Sequence, residues 1–540
     1  MTYDLILQGG RIIDGTGNPW YWGDLAIKDG KIAAIGTLDS SKADSVLDVK
    51  GLVVVPGFID AHSHADRSTL YFREMKSLVM QGITTVVGGQ CGGSPAPVDP
   101  SLREEMEARR AKVLPPEVDP SITWTTFDDY LRLEKESGLG TNVAHLVGHG
   151  TIRIASMGRE ARDPTPEELK RMRELTAEAM EAGAFGISTG LIYPPGIFAK
   201  TDEIVELAKV AARYGGVYDS HIRGEGKTLM ESLEEAIAIG ERAGIPVQIS
   251  HHKAATKSIW GKSVESLRLL EEARERGVDV TVDQYPYRAG STSLATCLPP
   301  WAHDGGIEKL LERLGDPDAR ARMRSDIEEG IPGWENFAGE LGWENVMVSS
   351  VKSDENKPFE GKNLEEICEM RGDADAFATL FDLILEEEGS VSMIIFAMDE
   401  GDVRRIMGHP LQMVGTDSGA SAADGFMRRG KPHPRGYGSY PKILGRYVRE
   451  LGVLGLEEAV RKMTSFPAQR FGISDRGILR PGMWADVVVF DPKTVTDKAT
   501  YQDPHQYPEG LEYVLVNGRI AVEKGKHTGT LAGGTLRRNQ

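Results

Sequence analysis

EELKRMRELTAEAMEAG (167–183) followed by FGISTGL (185–191) reads as one helix and one short buried strand. Apolar residues recur at helical spacing up to Gly183, and a compact apolar run follows. The unit then repeats. DEIVELAKVAARYGG (202–216) leads into VYDSHIR (217–223), LMESLEEAIAIGERAG (229–244) into PVQISHHK (246–253), and SVESLRLLEEARERG (263–277) into DVTVDQYPY (279–287). Each helix stops at glycine, the residue that takes a left-handed C′ position without strain. Strands returning about every 30 residues with a helix between them predict βαβ units and a parallel sheet.

Working outward, LVVVPGFID (52–60), GITTVVGG (82–89), NVAHLVGHG (142–150) and LQMVGTDSG (411–419) supply four further strands. Eight such units predict an α/β fold, a (β/α)₈ TIM-like barrel over residues 55–474. A ninth apolar run, SMIIFAMD (392–399), falls in the segment from about 290 to 410, which is too long for a loop and is expected to be an insertion between strands 7 and 8. The chain ends differ in style. YDLILQGGRIIDGTG (3–17), DLAIKDGKIAAIG (24–36), ADVVVFDP (485–492) and YVLVNGRIAVEKGKHTG (513–529) read as short strands between Gly and Asp turns. They predict one small β-domain built from residues 1–54 and 475–540.

The 540-residue length accommodates these parts. A net charge of −18 disfavours a nucleic-acid partner, because that affinity comes from Lys and Arg neutralising phosphate. The start of the chain has no basic patch or long apolar run, and no stretch reaches the roughly 18 apolar residues of a spanning helix. A soluble, cytoplasmic protein without a membrane partner is expected, and a homo-oligomer is compatible with the sequence. Three cysteines without paired spacing exclude a disulfide framework.

In such a barrel, chemistry sits where strands end. His62 and His64 follow the first strand, and an H-x-H pair on extended backbone points both rings to one side. Cys91 ends the second strand, His221 the fifth, His251 the sixth and Asp417 the eighth. Each alone has an ordinary structural reading. Six zinc-ligand types at one end of their strands predict a metal site. His149 ends the third strand, where a supporting or substrate role is open. His252 should point away from His251 and pack, and Cys297 and Cys368 read as structural.

These residues sit in motifs that resemble the amidohydrolase superfamily, within it the D-aminoacylase or N-acyl-D-amino-acid deacylase group. The motifs are GGRIIDGTG, PGFIDAHSH, VVGGQCGGSPAP, LVGHGTIR, STGLIYPPG, SHIRGEG, ISHHK, YPYRAGSTSL, GTDSG, HPRGYGSYPKILGRYVRE and PGMWADVVVFDP. Many binuclear relatives use a carboxylated lysine from the fourth strand, and FGISTGL offers none. The resemblance puts Cys91 in that role and implies a tight Zn²⁺ on Cys91, His221 and His251, with a second, weaker metal position from His62, His64 and Asp417. It further implies hydrolysis of N-acyl-D-amino acids by a metal-bound hydroxide, with Asp417 as general base. Tyr193, Lys253, Tyr285, Ser291 and Arg435 match positions that hold the carboxylate of a small-molecule substrate, a group that the planar arginine fork suits. Arg223 and Glu225 are expected to shape the site. Arg288 departs from the group's pattern, and facing the pocket it would favour an acidic or larger polar substrate. The alternatives are a cyclic-amide or D-dipeptide hydrolase on the same scaffold, and a non-catalytic scaffold protein.

Overall fold

The two chain ends meet in one sheet. In the computed structural model, residues 2–538 are described. The strands β1 (Tyr3–Ile12), β2 (Tyr21–Lys28), β3 (Lys31–Gly36), β4 (Ala43–Asp48) and β5 (Val53–Pro56) join Val487–Phe490, Leu511–Val516, Arg519–Glu523 and Lys526–His527 in a nine-stranded sheet. LVVVPGFID is therefore not the single strand its apolar run suggested. Val53–Pro56 pairs with Val487–Phe490, while β6 (Phe58–Asp60) begins a parallel series beyond Gly57. The final residues also leave the sheet: Gly533 pairs with Leu139, and Arg537 reaches Asp128 at 2.5 Å.

The parallel series continues through β7 (Ile83–Gly88), β8 (Asn142–His145), β9 (Val147–Gly148), β10 (Gly186–Gly190), β11 (Val217–His221), β12 (Val247–Ile249) and β13 (Val280–Gln284) to the strand Gln412–Val414. Neighbours pair in parallel from β6 to β8 and from β9 to Gln412–Val414. Ala61 N donates to Val414 O at 3.1 Å, and Ser63 bridges Ser418, so the last strand lies beside the first.

The helices between these strands form for local reasons. Thr165 and Glu168 cap Pro166–Glu181 reciprocally, and Met172, Leu175, Thr176, Ala179 and Met180 lie buried along one face. The glycines that close the repeated helices, Gly183, Gly215, Gly244 and Gly277, all take positive φ. The apolar faces of these helices meet the parallel strands in one core that includes Leu175, Ile204, Leu233, Leu270 and Val280.

Residues 290–395 hold a three-stranded antiparallel sheet of Gly290–Ser293, Val346–Ser350 and Ser392–Ile395, which absorbs SMIIFAMD. This sheet and its helices carry a core of their own around Leu310, Met323, Val348, Leu364, Leu380 and Met393. The helix Glu400–Gly408 instead packs against Ser263–Glu275 and Gln412–Val414, so it belongs to the βα layer although the expected insertion ran to 410. Among the described residues, no helix is long and apolar enough to cross a membrane.

Candidate metal centre and its cavity

The parallel strands deliver zinc-type donors at their carboxyl ends. Cys91 Sγ lies 3.4 Å from His62 Nε2, 3.7 Å from His221 Nδ1 and 3.6 Å from His251 Nε2. A tetrahedral zinc with ordinary Zn–S and Zn–N bonds separates sulfur from nitrogen by about 3.6 Å, so this donor set fits that ion. Asp417 Oδ1 stands 3.1 Å from His64 Nε2 and 3.6 Å from His62 Nε2. The two donor sets expected from the sequence thus adjoin one another, with His62, Cys91, His251 and Asp417 within 4.8 Å.

The backbone is bent to achieve this. Cys91, His251 and Asp417 all take positive φ, a region where non-glycine residues are strained and which clusters at functional sites. Glycine makes room beside Cys91: a Cβ on Gly190 would lie 2.2 Å from Cys91 O.

Supporting groups orient the rings. Glu225 Oε1 accepts from His251 Nδ1 at 2.9 Å, which leaves Nε2 free for a metal. Lys253 donates to the same carboxylate oxygen. Burial, reinforced by Lys253, lowers the His251 pKa well below the usual value, and burial with His251 does the same for His221. Both rings are therefore held neutral, the form that ligates metal. His62 differs. Burial opposes its protonation, yet Asp283, at 3.6 Å from Nδ1, and Cys91 raise its pKa well above the usual value. Burial raises the Cys91 thiol, with His62 opposing, and a bound cation reverses that effect.

Five of the six expected substrate residues converge on this centre. Tyr193, Lys253, Tyr285 and Ser291 line a small inner recess with His221, His251 and Asp417. Arg435 lies over the Tyr285 ring at 4.6 Å and donates to Ser291 O at 3.2 Å. Its Nη1 stands 2.8 Å from Asp417 Oδ2 as an ion pair, but without hydrogen-bond alignment. Burial works against the charge of Asp417; the Arg435 guanidinium, with the His64 hydrogen bond, outweighs it and holds the carboxyl well below its usual range.

Arg288 is a correction. It is exposed and lines a separate surface recess with Arg446 and Tyr447. The backbone bends at Pro286 and Arg288, which leaves Tyr285 in the inner recess and puts Arg288 at the surface one beside Tyr287. Arg223 binds Glu235 and the carbonyls of Ile197 and Ala199, a structural clamp. His149 bonds Glu203 at 2.8 Å in a buried cluster with Arg153, which is likewise structural. His252 packs as expected, against Ser266 Oγ at 2.9 Å.

Three contributors escaped the sequence reading. His433, in the same HPR run as Arg435, accepts from Arg435 N at 3.0 Å and donates to Ala289 O at 2.9 Å. Asp283, a carboxylate within an apolar strand, accepts from His251 N at 2.8 Å, and that burial pattern was its available signal. Glu335, from the insertion, accepts from Glu225 N at 3.1 Å and has no periodic context to mark it.

Histidine, cysteine and aspartate donors around a concave floor at parallel strand ends define a site suited to a divalent metal. The chain belongs to the amidohydrolase family, whose model matches residues 45–522. It is 38% identical to a D-aminoacylase of Alcaligenes xylosoxydans xylosoxydans, over 99% of this chain and 98% of that one. It is 39% identical to an N-acyl-D-glutamate deacylase of the same organism, over 95% and 93%. Among solved structures it matches the N-acyl-D-glutamate deacylase of Bordetella bronchiseptica, complexed with zinc and a phosphonate mimic of the tetrahedral intermediate, with a TM-score of 0.82. Identity there is 35%, covering 99% of this chain and 100% of that one.

Proposed function

We propose that this protein hydrolyses the amide bond of N-acyl-D-amino acids to a carboxylate and a free D-amino acid, using one zinc on Cys91, His221 and His251. The observation that carries this is the placement of Arg435, a buried guanidinium with an unsatisfied Nη1, between the donor cluster and the Tyr285–Ser291 recess. An amide hydrolase that recognises an α-carboxylate needs a cation there. The D configuration rests on kinship with the deacylases.

When bound, zinc supplies a Lewis acid that acidifies water and polarises a carbonyl. Asp417, beside the residues that would hold the metal, is placed to take up a proton on its carboxylate and return it to the leaving nitrogen. In the free protein Arg435 suppresses the basicity of Asp417. An α-carboxylate docking on Arg435 shares that guanidinium, which returns basicity to Asp417 once substrate is present. Lys253, Tyr193, Tyr285 and Ser291 complete the carboxylate recess. A second metal position at His62, His64 and Asp417 is the weaker one, because a metal there displaces the proton that Asp283 and Cys91 favour on His62.

The scaffold we infer is a closed (β/α)₈ barrel, with Ala61–Val414 and Ser63–Ser418 as its seam, a small β-domain from both termini, and the insertion over the strand ends. The parallel pairing supports it, with β8 and β9 as two segments of one strand among eight.

Hydrolysis of N-acetyl-D-amino acids, their L forms, dihydropyrimidines and D-dipeptides, each followed by chromatographic detection of its own product, tests the proposal. Turnover confined to the N-acetyl-D compounds is expected. Preferential hydrolysis of dihydropyrimidines or D-dipeptides would overturn it.

A further inference from the structure

The chain carries a net charge of −18, yet the cavity above the donors is lined by the opposite sign. This cavity, of about 670 Å³, carries Arg67, Lys112, Lys352, Arg429 and Arg435 against a single carboxylate, Asp417. Arg435 already faces Asp417. Lys112 and Lys352 share Glu388 on the exposed side, at 3.0 and 4.0 Å. Arg67 is different. Among the described residues no carboxylate lies within ion-pair distance of it.

Arg67 follows the H-x-H segment on the turn Ala65–Arg67. Its Nη2 lies 3.3 Å from where a Cβ on Gly93 would stand, so the guanidinium covers the backbone two residues past Cys91. Arg67 lines the cavity together with His64, Cys91 and Arg429. Arg435 stands beside Asp417, whereas Arg67 stands beside Gly93, just past Cys91, so the two cations line the cavity next to different donors. A substrate spanning the donors with one carboxylate on Arg435 extends towards an arginine with no carboxylate partner, and an unpaired cation in a concave site concentrates anions.

We propose that the preferred substrate carries a second carboxylate and that Arg67 is the residue that selects it. This rests on the deacylase reading above. The second carboxylate belongs either to an acidic D side chain or to a dicarboxylic acyl group, and both present the same chemistry to the guanidinium.

The test compares kcat/KM for N-acetyl-D-glutamate, N-acetyl-D-glutamine and N-succinyl-D-glutamine in wild type, Arg67→Met and Arg67→Lys, each first assayed for zinc content. Wild type should prefer at least one dianionic substrate over N-acetyl-D-glutamine by tenfold or more, with the preference shrinking as salt rises. Arg67→Met should reduce that ratio at least tenfold, and Arg67→Lys should retain part of it. The glutamate arm assigns the charge to the side chain and the succinyl arm to the acyl group. A wild-type ratio below threefold for both, or an unchanged ratio in Arg67→Met, overturns the inference while leaving deacylation standing. Absence of turnover on all three, with N-acetyl-D-leucine also inert, overturns the deacylase reading and this inference with it.

Discussion

Asp417→Asn separates proton transfer from metal and substrate binding. The substitution preserves shape in a side chain that is only 9% exposed. An asparagine oxygen can still face Arg435 Nη1, now 2.8 Å from Oδ2, and its amide can donate to a neutral His64 Nε2, now 3.1 Å from Oδ1. What disappears is the negative charge and the ability to take a proton. A positioned general base contributes about 10²–10⁴-fold, so kcat should fall by that factor, a barrier increase of roughly 2.7–5.4 kcal/mol. KM should not rise, because Arg435 no longer shares its charge with a neighbouring carboxylate. Stability should drop by about 1–3 kcal/mol, the scale of a hydrogen bond to a charged partner. Zinc should stay near one per chain, since Cys91, His221 and His251 are unchanged. Steady-state amine release gives kcat and KM, and elemental analysis gives the metal. Wild-type kcat in zinc-replete Asp417→Asn would remove Asp417 from the chemistry. Loss of zinc in parallel with activity would make it a ligand of the tight ion instead.

Cys91→Ser replaces a thiolate by a hydroxyl that stays protonated, and zinc affinity should fall at least ~100-fold, beyond the effect of losing a supporting group. Chelator competition followed by metal analysis checks this; wild-type resistance to the chelator would exclude Cys91 from the tight set. Glu335 offers a pH signature, since burial and the neighbouring Glu225 raise its pKa to about 8. The folded state then holds a proton that the unfolded chain releases near the usual carboxylate value, so this contribution to stability is present below about pH 4.5 and is lost as pH rises towards 8. Glu335→Gln should flatten that decline and unfold at higher denaturant than wild type at pH 8, by roughly 1–3 kcal/mol. Parallel stability–pH curves for the two proteins would refute it.

What the sequence disclosed and what it concealed divide along a physical line. Cys91, His221, His251 and Asp417 were legible because each is tied to the end of its own strand, and strand ends follow from local periodicity. The helix stops at Gly183, Gly215, Gly244 and Gly277 were legible for the same reason, as single-residue backbone preferences. LVVVPGFID misled because an unbroken apolar run carries no mark of where a strand leaves one sheet and enters another. Arg288 misled because nearness to Tyr285 in sequence carries no mark of the bends at Pro286 and Arg288, which put Arg288 at a surface recess while Tyr285 and Ser291 line the inner one.

The charge of the cavity is the part that no local pattern holds. Arg67, Lys112, Lys352 and the pair Arg429 and Arg435 come from four separated segments, and Lys352 belongs to the insertion with its own core. Each looks like an ordinary solvated cation in a chain whose net charge has the opposite sign. Only their convergence makes them a field, and that convergence is a property of tertiary topology. The sign of the cavity and the sign of the protein can therefore differ without contradiction: a global excess of carboxylates governs solubility, while the cations lining the cavity, Arg67 above all, bear on what enters the site. On the proposed reading, the donors gathered at the strand ends set the chemistry of amide cleavage. The cations on the wall decide which amide is brought there, and substrate preference can change through Arg67 while the donor cluster stays intact.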